Sequence, residues 1–392
     1  MARARTTSIV LLISVASIVV DGRDLLAQAI QVFPTAVIWR VEVKSQPIAP
    51  LVASADRVFL ALQSGVSAHR LTDGGEIWQT PGSVDGPMAA SDDRLIIMRK
   101  GELQALDVAT GTPVWSDRPG PLTAPPLVSG EWLLIAAAES ITCYRVADGN
   151  KLWSSTDTGM VEQRPAISGD RAYIPAADGR ILALDLKSGK QIWEFQIGIK
   201  PTEPLVHEGR VFAGSEGKLF CSIRPDTGRK DWCSNPAGAT RGAPVADARN
   251  VYFVGLDNIL RAHDWKNGAQ RWTEDLHYRP SSGPLLVGAS IAAAGNVPRV
   301  PVFETGQGKK TIQITLETRL PTAPLLIEPS AGAPARIAAV TGDLQNRWHL
   351  TLIGPAAPTV PAIAVTPLTA LPGQAIPIGV PPVLPVQQPQ AL

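Results

Sequence analysis

This sequence has no marked excess of positive or negative charge. Its 36 Lys and Arg residues nearly cancel its 35 Asp and Glu residues, which leaves a net charge of +1. Without a basic excess, the chain has no electrostatic reason to bind nucleic acid or an acidic membrane surface. Histidine and cysteine are also scarce, at five and three residues, and the histidines lack metal-ligand spacing. We therefore expect no metal site and no nucleic-acid partner.

Apolar runs that could span a membrane are absent after the N-terminus, since a span needs about 18 or more apolar residues. The N-terminus itself has the three parts of a secretory signal. Arg3 and Arg5 are positively charged, residues 9–20 carry no charge, and residues 27–29 form an A-x-A cleavage site. We therefore expect residues 1–29 to be a signal peptide. The mature protein would be exported, to the periplasm or another extracytoplasmic compartment.

Tryptophan is abundant, with ten Trp beside four Tyr and seven Phe, and its placement is periodic. Prolines that introduce similar apolar segments recur about every 40 residues. They are Pro50, Pro87, Pro125, Pro165, Pro204, Pro244, Pro284 and Pro324. A tryptophan follows each of the first six prolines at an offset of 28 residues, and Ile312 takes its place in the seventh repeat. An offset kept through six units indicates tandem structural repeats.

Each repeat has the turn signals of four short strands. In the fourth repeat Asp178-Gly179 suits a two-residue hairpin turn, and Ser188-Gly189 suits a three-residue loop with Gly in the left-handed region. No helical period lies between the strands. Four antiparallel strands in each unit of about 40 residues are typical of propeller blades.

The eighth repeat ends before its fourth strand, because the sequence becomes proline-rich after the third strand at 347–353. A matching fourth strand stands at the other end of the chain, where 37–43 contains Trp39. An open ring would leave two bare strand edges. We predict an all-β, eight-bladed β-propeller of four-stranded antiparallel blades over 37–354, closed by the N-terminal strand. Residues 355–392 are expected to be a proline-rich, disordered tail.

The periodic tryptophans are predicted to dock neighbouring blades. A three-residue loop centred on Ser188 places Ala183 opposite Trp193. That slot holds small residues in six repeats, namely Ala68, Ala105, Cys143, Ala183, Ser222 and Ala262. A small residue leaves room for the indole to lie over the next blade. The predicted docking residues are Trp39, Trp78, Trp115, Trp153, Trp193, Trp232 and Trp272. The alternative is that these rings stack on ligands.

Two cysteines face each other in the same register, because the loop of the fifth repeat centres on Thr227 and places Cys221 opposite Cys233. Directly opposed residues have Cα atoms about 4.5–5.5 Å apart, within the range of a disulfide. An exported protein meets oxidising conditions. We predict a Cys221–Cys233 disulfide and a buried free thiol at Cys143, opposite Trp153. The alternative is a pair of reduced, buried cysteines.

The motif A-L-D-x-x-T/S-G-x-x-x-W stands at residues 105–115 and 183–193. It resembles the pyrroloquinoline quinone (PQQ)-type propeller repeat, over about residues 37–354. Members of that family include quinone-dependent alcohol dehydrogenases and the propeller lipoprotein of the outer-membrane β-barrel assembly machinery. Enzymatic members resemble one another in a calcium site, a catalytic aspartate and two adjacent cysteines beside the quinone. No two Cys are adjacent in this chain, so we expect no catalytic residues and no PQQ. No Cys precedes Cys143, so the lipid-attachment cysteine of the lipoprotein is not expected either.

The resemblance therefore favours a non-enzymatic, exported scaffold that binds a protein partner in the cell envelope, with outer-membrane protein assembly as the implied role. Two alternatives stay open. One is a PQQ-dependent, dehydrogenase-like quinoprotein. The other is a binding or sensing module for a small ligand or cell-wall material.

The expected partner-binding surface is the mouth of the propeller channel. The innermost strand of each blade lines the channel and is predicted to begin just after each repeat proline. Among the eight residues before these prolines, only Arg164 and Glu203 are charged, and they belong to adjacent blades. The same loops also carry Glu162, Lys200, Arg241, Arg279 and Arg319. Arg164 is favoured because arginine is enriched at binding hot spots. The alternative is an Arg164–Glu203 ion pair that only links two blades.

Overall fold

The structure, a computed structural model, describes residues 35–54, 56–295, 297–315, 322–327, 335–343, 345 and 347–355. The first sixteen strands are β1 (Thr35–Val43), β2 (Val52–Ser54), β3 (Arg57–Leu62), β4 (Gly65–Arg70), β5 (Glu76–Pro81), β6 (Ala89–Ala90), β7 (Arg94–Arg99), β8 (Glu102–Asp107), β9 (Pro113–Asp117), β10 (Leu127–Ser129), β11 (Trp132–Ala137), β12 (Ser140–Arg145), β13 (Lys151–Ser155), β14 (Ala166–Ser168), β15 (Arg171–Pro175) and β16 (Arg180–Asp185). The next sixteen are β17 (Gln191–Gln196), β18 (Leu205–His207), β19 (Arg210–Gly214), β20 (Phe220–Ile223), β21 (Lys230–Ser234), β22 (Thr240–Ala246), β23 (Asn250–Gly255), β24 (Ile259–Asp264), β25 (Gln270–Asp275), β26 (Pro280–Val287), β27 (Ser290–Gly295), β28 (Arg299–Glu304), β29 (Lys310–Thr315), β30 (Leu325–Ile327), β31 (Arg336–Gly342) and β32 (Trp348–Pro355). No helix suited to crossing a membrane is found among the described residues.

The strands pair into eight antiparallel sheets of four strands each. Seven sheets use consecutive strands, from β2–β5 as blade 1 to β26–β29 as blade 7, and blade 8 has the order β30-β31-β32-β1. The predicted eight-bladed, all-β propeller is confirmed. The predicted signal peptide (1–29) and all but the first residue of the predicted tail (355–392) lie outside the described residues.

Blade 8 is closed by the N-terminal strand, as predicted. β1 pairs with β32, so that Val37 lies opposite Ile353 and Val43 opposite Trp348. A register shift at the start of the strand places Trp39 opposite Leu352. The last blade therefore takes its strands from both ends of the repeat region, which removes the edges that an open ring would expose.

The hydrophobic core lies between blades. One cluster joins Tyr173 and Ala183 of blade 4 with Val211 and Ile223 of blade 5. The middle strands of the blades are buried along most of their length, as in β15 and β19. A blade buries its apolar faces only against its two neighbours, so the stability of each blade depends on the completed ring.

Each of the seven predicted docking tryptophans donates its indole N–H to a carbonyl of the next blade. The bonds run from Trp39 to Leu71 (3.0 Å), Trp78 to Val108 (2.9 Å), Trp115 to Val146 (2.8 Å), Trp153 to Leu186 (2.7 Å), Trp193 to Pro225 (2.7 Å), Trp232 to Trp265 (3.1 Å) and Trp272 to Thr305 (2.9 Å). A glycine in a loop of the next blade packs directly against the indole ring of each docking tryptophan. At Gly189, whose φ is +70°, an added Cβ would lie 2.5 Å from the ring of Trp153.

The pairing of the third and fourth strands confirms that a small residue lies opposite the docking tryptophan. It also shows that the loop between these two strands is longer than predicted. Ala183 faces Trp193 and Cys143 faces Trp153, as predicted. The three-residue loop is wrong: the N–H of Asp185 bonds the carbonyl of Lys190, which closes a longer loop. The Asp185 carboxylate holds this loop by accepting the N–H of Ser188 at 2.8 Å. A bulge in β17 then absorbs the extra residue and restores the predicted pair.

The predicted cysteine chemistry is also confirmed. Cys221 faces Cys233 across β20 and β21, with their Cα atoms 4.1 Å apart, and the two form a disulfide. Cys143 is free and buried, and desolvation raises the pKa of its thiol to about 12. At neutral pH this thiol is therefore protonated and chemically inert.

Candidate partner-binding surface

The connections of each blade fall on two faces of the propeller, because its strands alternate in direction. In blade 4 the first turn at 168–171 and the last loop at 185–190 lie on one face, which we call the glycine face. The middle turn at 176–179 and the connection to the next blade at 197–204 lie on the other, which we call the proline face. The predicted partner-binding residues belong to the inter-blade connections, and thus to the proline face.

The inter-blade connections have a common geometry. In four blades one residue of the connection bridges the middle turn of the following blade. These bridges pair Pro47 with Leu62, Leu122 with Ala137, Val161 with Ala176 and Pro201 with Ser215. In blades 6 and 7 the equivalent pairs, Thr240–Gly255 and Pro280–Gly295, are the first pairs of β22 and β26. After each bridge the pairing is interrupted by a bulge at the repeat proline, which has no N–H to donate to a ladder.

The prediction that every inner strand begins just after its proline is correct for β14, which starts at Ala166, but wrong for β22 and β26. β22 starts at Thr240, before Pro244, because bridge and inner strand merge into one strand with a register shift between Arg241 and Val245. The residues before the prolines still lie in the bulges. Inner strands of neighbouring blades contact one another, as β14 contacts β18 and β18 contacts β22. The bulges therefore surround the propeller axis.

The predicted charged residues of blades 4 and 5 come together, although not in the predicted pair. Within the described residues no ion pair joins Arg164 to Glu203. The two loops are linked instead by Lys200 and Glu162, whose Nζ and Oε2 atoms are 3.5 Å apart. Burial raises the pKa of the Glu203 carboxyl, and the charge of Arg164 partly opposes this. Arg164 itself is exposed, so its guanidinium is available to a partner.

The remaining predicted residues are spread over the later blades. Arg241 is exposed, and its Nε donates weakly to the carbonyl of Ser281 in blade 7, at 3.4 Å. Arg279 is also exposed in the connection that leads to blade 7. Arg319 lies outside the described residues. Four cations and two carboxylates of the predicted set therefore belong to described loops of the proline face.

Sequence reasoning missed three apolar side chains on the proline face. Ile48, Met160 and Ile199 belong to inter-blade connections and are 42%, 44% and 60% exposed. The carbonyl of Ile199 accepts the N–H of Glu216 at 3.0 Å, and Lys200 has a φ of +44°, so the loop is held with Ile199 pointing outward. The available signal was a large apolar residue placed in a connection, where no core alternation requires one.

An open cleft lies on the same face between blades 2 and 3. Its volume is about 330 Å³, and its lining includes Pro87, Met98, Pro121, Leu122 and Pro125. The proline face thus combines exposed apolar side chains, an apolar cleft and charged groups at the rim of the axis. Apolar centres with polar surroundings are the usual composition of protein-binding surfaces.

The PQQ-type repeat raises the question of a quinone with its calcium ion. In the described part of the chain, no three His, Cys, Asp or Glu side chains are grouped so that they could hold one metal ion. Cys221 is fully buried within blade 5 and is bonded to Cys233 across the sheet, so this disulfide joins two strands and is not a pair of adjacent cysteines. These donor groups do not fit a calcium–quinone pair, and we assign no reaction step to one.

Comparisons with known proteins agree with the fold. The dehydrogenase subunit of the quinone alcohol dehydrogenase of Gluconobacter oxydans is 27% identical over 190 residues, which are 43% of this chain but 21% of the enzyme. The crystal structure of BamB from Moraxella catarrhalis superposes with a TM-score of 0.68 at 21% identity, over 82% of this chain and 99% of that one. At this identity the superposition establishes the fold.

The family follows from the sequence matches. The outer membrane protein assembly factor BamB of Burkholderia pseudomallei is 23% identical over 291 residues, which are 66% of this chain and 76% of that protein. The profile of the family described as outer membrane protein assembly factor BamB matches residues 62–274 and 198–340, well over half of the chain. The predicted resemblance to PQQ-type repeats is confirmed, and this chain belongs to the family of the outer membrane protein assembly factor BamB.

Proposed function

We propose that this protein is an exported, non-enzymatic scaffold of the cell envelope that binds a protein partner through its proline face, in the assembly of outer-membrane proteins. Family membership supports the role, since its relatives are named outer membrane protein assembly factors. Export is supported by the three-part signal at residues 1–29.

The observation that carries the proposed surface is the exposure of Met160 and Ile199 beside the charged loops of blades 4 and 5. Complete burial of an aliphatic side chain is worth about 1.5–3 kcal/mol, and Met160 and Ile199, at 44% and 60% exposed, would contribute part of that range each. Arg164 lies in the same pair of connections and adds a fork of hydrogen-bond donors. Arginine is among the residues enriched at binding hot spots, which favours Arg164 as the central contact beside these apolar side chains.

Site-specific crosslinking tests this surface. A photo-crosslinking amino acid at Ile199 should capture a discrete envelope partner in living cells, and mass spectrometry should identify a component of outer-membrane protein assembly. The matched control carries the same amino acid at Lys187, which is exposed on the glycine face. Equal crosslinking from both positions, or none from Ile199, would reject the proline face as the binding surface.

A charge-reversal variant tests the arginines. Replacing Arg164 and Arg241 together with Glu should lower partner capture at least tenfold, because each change turns an attractive group into a repulsive one. The melting temperature should hardly move, since exposed substitutions usually change stability by less than about 0.5 kcal/mol. Lys187→Glu with Lys190→Glu on the glycine face is the control. Undiminished capture by the folded arginine variant would exclude these two residues.

A further inference from the structure

A second candidate site lies on the glycine face between blades 6 and 7. It is an open cleft of about 300 Å³, lined mainly by Arg249, Asp264, Trp265, Lys266 and Arg271. This volume suits a small polar group, because pockets for whole ligands begin at about this size. Trp265 lies at the base of the cleft, and its indole N–H is bound to the carbonyl of Ala248 at 3.1 Å.

Three of these lining residues depart from the repeat. Arg249 occupies a first-turn position that is acidic in four other blades, as Asp56, Asp93, Glu131 and Asp170. Trp265 supplies the carbonyl that accepts the docking indole, a position held elsewhere by Leu71, Val108, Val146, Leu186, Pro225 and Thr305. Arg271 precedes a docking tryptophan, a position that is aliphatic in five blades, as Ile38, Ile77, Val114, Leu152 and Ile192. Blade construction therefore requires none of the three, yet all three line one cleft.

The cleft has an excess of positive charge. Asp264 is its one lining carboxylate, and both of its oxygens are occupied. One accepts the N–H groups of Lys266 and Asn267, and the other accepts from Arg271 at 2.5 Å. In the described part of the chain, neither the guanidinium of Arg249 nor the ammonium of Lys266 has an ion-pair partner. The ammonium of Lys266 lies 5.1 Å from the centre of the Trp265 ring, which orients it at the cleft.

We propose that this cleft binds a phosphate monoester. Three cations against one carboxylate leave a charge of +2, which matches a doubly charged phosphate better than a singly charged carboxylate. Arg249 and Arg271 offer forked donors to its oxygens, and Lys266 offers a point charge. The site is on the face opposite the proposed partner surface and does not depend on that proposal. The phosphate group can belong to a soluble molecule or to a lipid headgroup.

The indole N–H of Trp265 allows a direct test by NMR. Inorganic phosphate is titrated into the folded protein at constant ionic strength, with chloride as the balancing anion. We expect a saturable shift of the Trp265 indole resonance and no comparable shift for the docking tryptophans. Arg249→Asp with Arg271→Ile, which introduces residues that the repeat uses elsewhere, should weaken binding at least tenfold. Arg249→Asp alone keeps the Arg271–Asp264 pair and should still weaken binding several-fold.

The control is Lys187→Gln with Lys190→Gln, which removes two exposed cations from the equivalent loop of blade 4 and should leave phosphate binding unchanged. Phosphatidylcholine vesicles with and without phosphatidic acid then distinguish the two sources. Retention on the phosphatidic acid vesicles that is lost in the Arg249→Asp, Arg271→Ile variant assigns a lipid headgroup, whereas binding of free phosphate alone assigns a soluble ligand. A shift that does not saturate, or that is equal in the wild type and the arginine variant, would overturn the proposal.

Discussion

His263 is a buried side chain that should make the stability of the propeller depend on pH. It is 4% exposed and packs between Trp232 and Phe253, with ring centroids 6.1 and 5.1 Å away. Desolvation lowers the pKa of its imidazole from 6.5 to about 4. The unfolded chain therefore binds a proton between these pH values that the folded chain does not, so stability falls as the pH drops through this window.

Replacing His263 with Leu, the residue at the same position in blades 2 and 4, should remove this part of the pH dependence. The wild type should lose up to about 1.4 kcal/mol per pH unit more than the variant between pH 6.5 and 4. Urea unfolding at pH 7 and pH 5 measures the difference. His277→Gln, at an exposed histidine, should behave like the wild type. Equal losses in the wild type and His263→Leu would contradict a buried, neutral imidazole.

The three cysteines make a second prediction at the residue scale. The folded protein should expose no reactive thiol, because Cys143 is buried and its pKa is raised to about 12. Unfolding without reductant should release one thiol, and unfolding with reductant should release three. Replacing Cys221 and Cys233 with Ala should lower the free energy of unfolding by about 2–3 kcal/mol, since the disulfide closes a short loop. Three reactive thiols without reductant would reject the bond.

At the scale of the element, β1 is the strand whose removal should have the largest effect on the stability of the propeller. It covers β32 from Thr35 to Val43 and contributes Trp39 to the junction with blade 1. Deleting residues 30–44 should expose the edge of β32 and remove one docking bond, with aggregation or a large fall in melting temperature as the result.

Strand complementation sharpens that test. A synthetic peptide of residues 30–44 added to the deletion variant should restore the melting temperature, whereas the same peptide with Trp39→Ala should restore less. A deletion variant that melts like the parent protein, without peptide, would show that β1 does not close the ring.

For the whole molecule, the junction between blades 7 and 8 differs from the other seven. Ile312 occupies the tryptophan position of blade 7, so no indole N–H reaches blade 8. Within the described residues, blade 8 also lacks the loop that receives an indole in the other blades, because its third and fourth strands, β32 and β1, come from distant parts of the chain. The missing hydrogen bond alone is worth about 0.5–1.5 kcal/mol.

We therefore expect the ring to open first at this junction. In hydrogen exchange measured by mass spectrometry, the amides of β28, β29 and β31 should exchange faster than their counterparts in blades 4 and 5, because local opening follows the weakest packing. The internal reference is the junction between blades 4 and 5. This junction has the hydrogen bond of Trp193, and blade 5 also contains the Cys221–Cys233 disulfide. Uniform protection around the ring would show that the indole bonds do not set its local stability.

Local rules in the sequence were enough for the blade count, the closing strand, the docking tryptophans and the disulfide. These features depend on a repeated offset and on the pairing of neighbouring strands, which a linear pattern encodes directly. The exact loop length was not predictable in the same way. The bulge at Ile192 compensates for the longer loop after Asp185, so two local changes cancel and leave the Ala183–Trp193 pair in place.

Which side chains meet across the connections between blades was decided only by the tertiary structure, because the repeat pattern places the connections side by side without choosing among their side chains. The sequence alone determined that Arg164, Glu203, Glu162 and Lys200 belong to neighbouring connections, but folding selected the Glu162–Lys200 pair. The outward direction of Ile199 depends on its bond to Glu216 in the next turn. The cationic cleft depends likewise on strand pairing within blade 6, which brings its first turn, its last loop and β25 together beside Gly306 of blade 7.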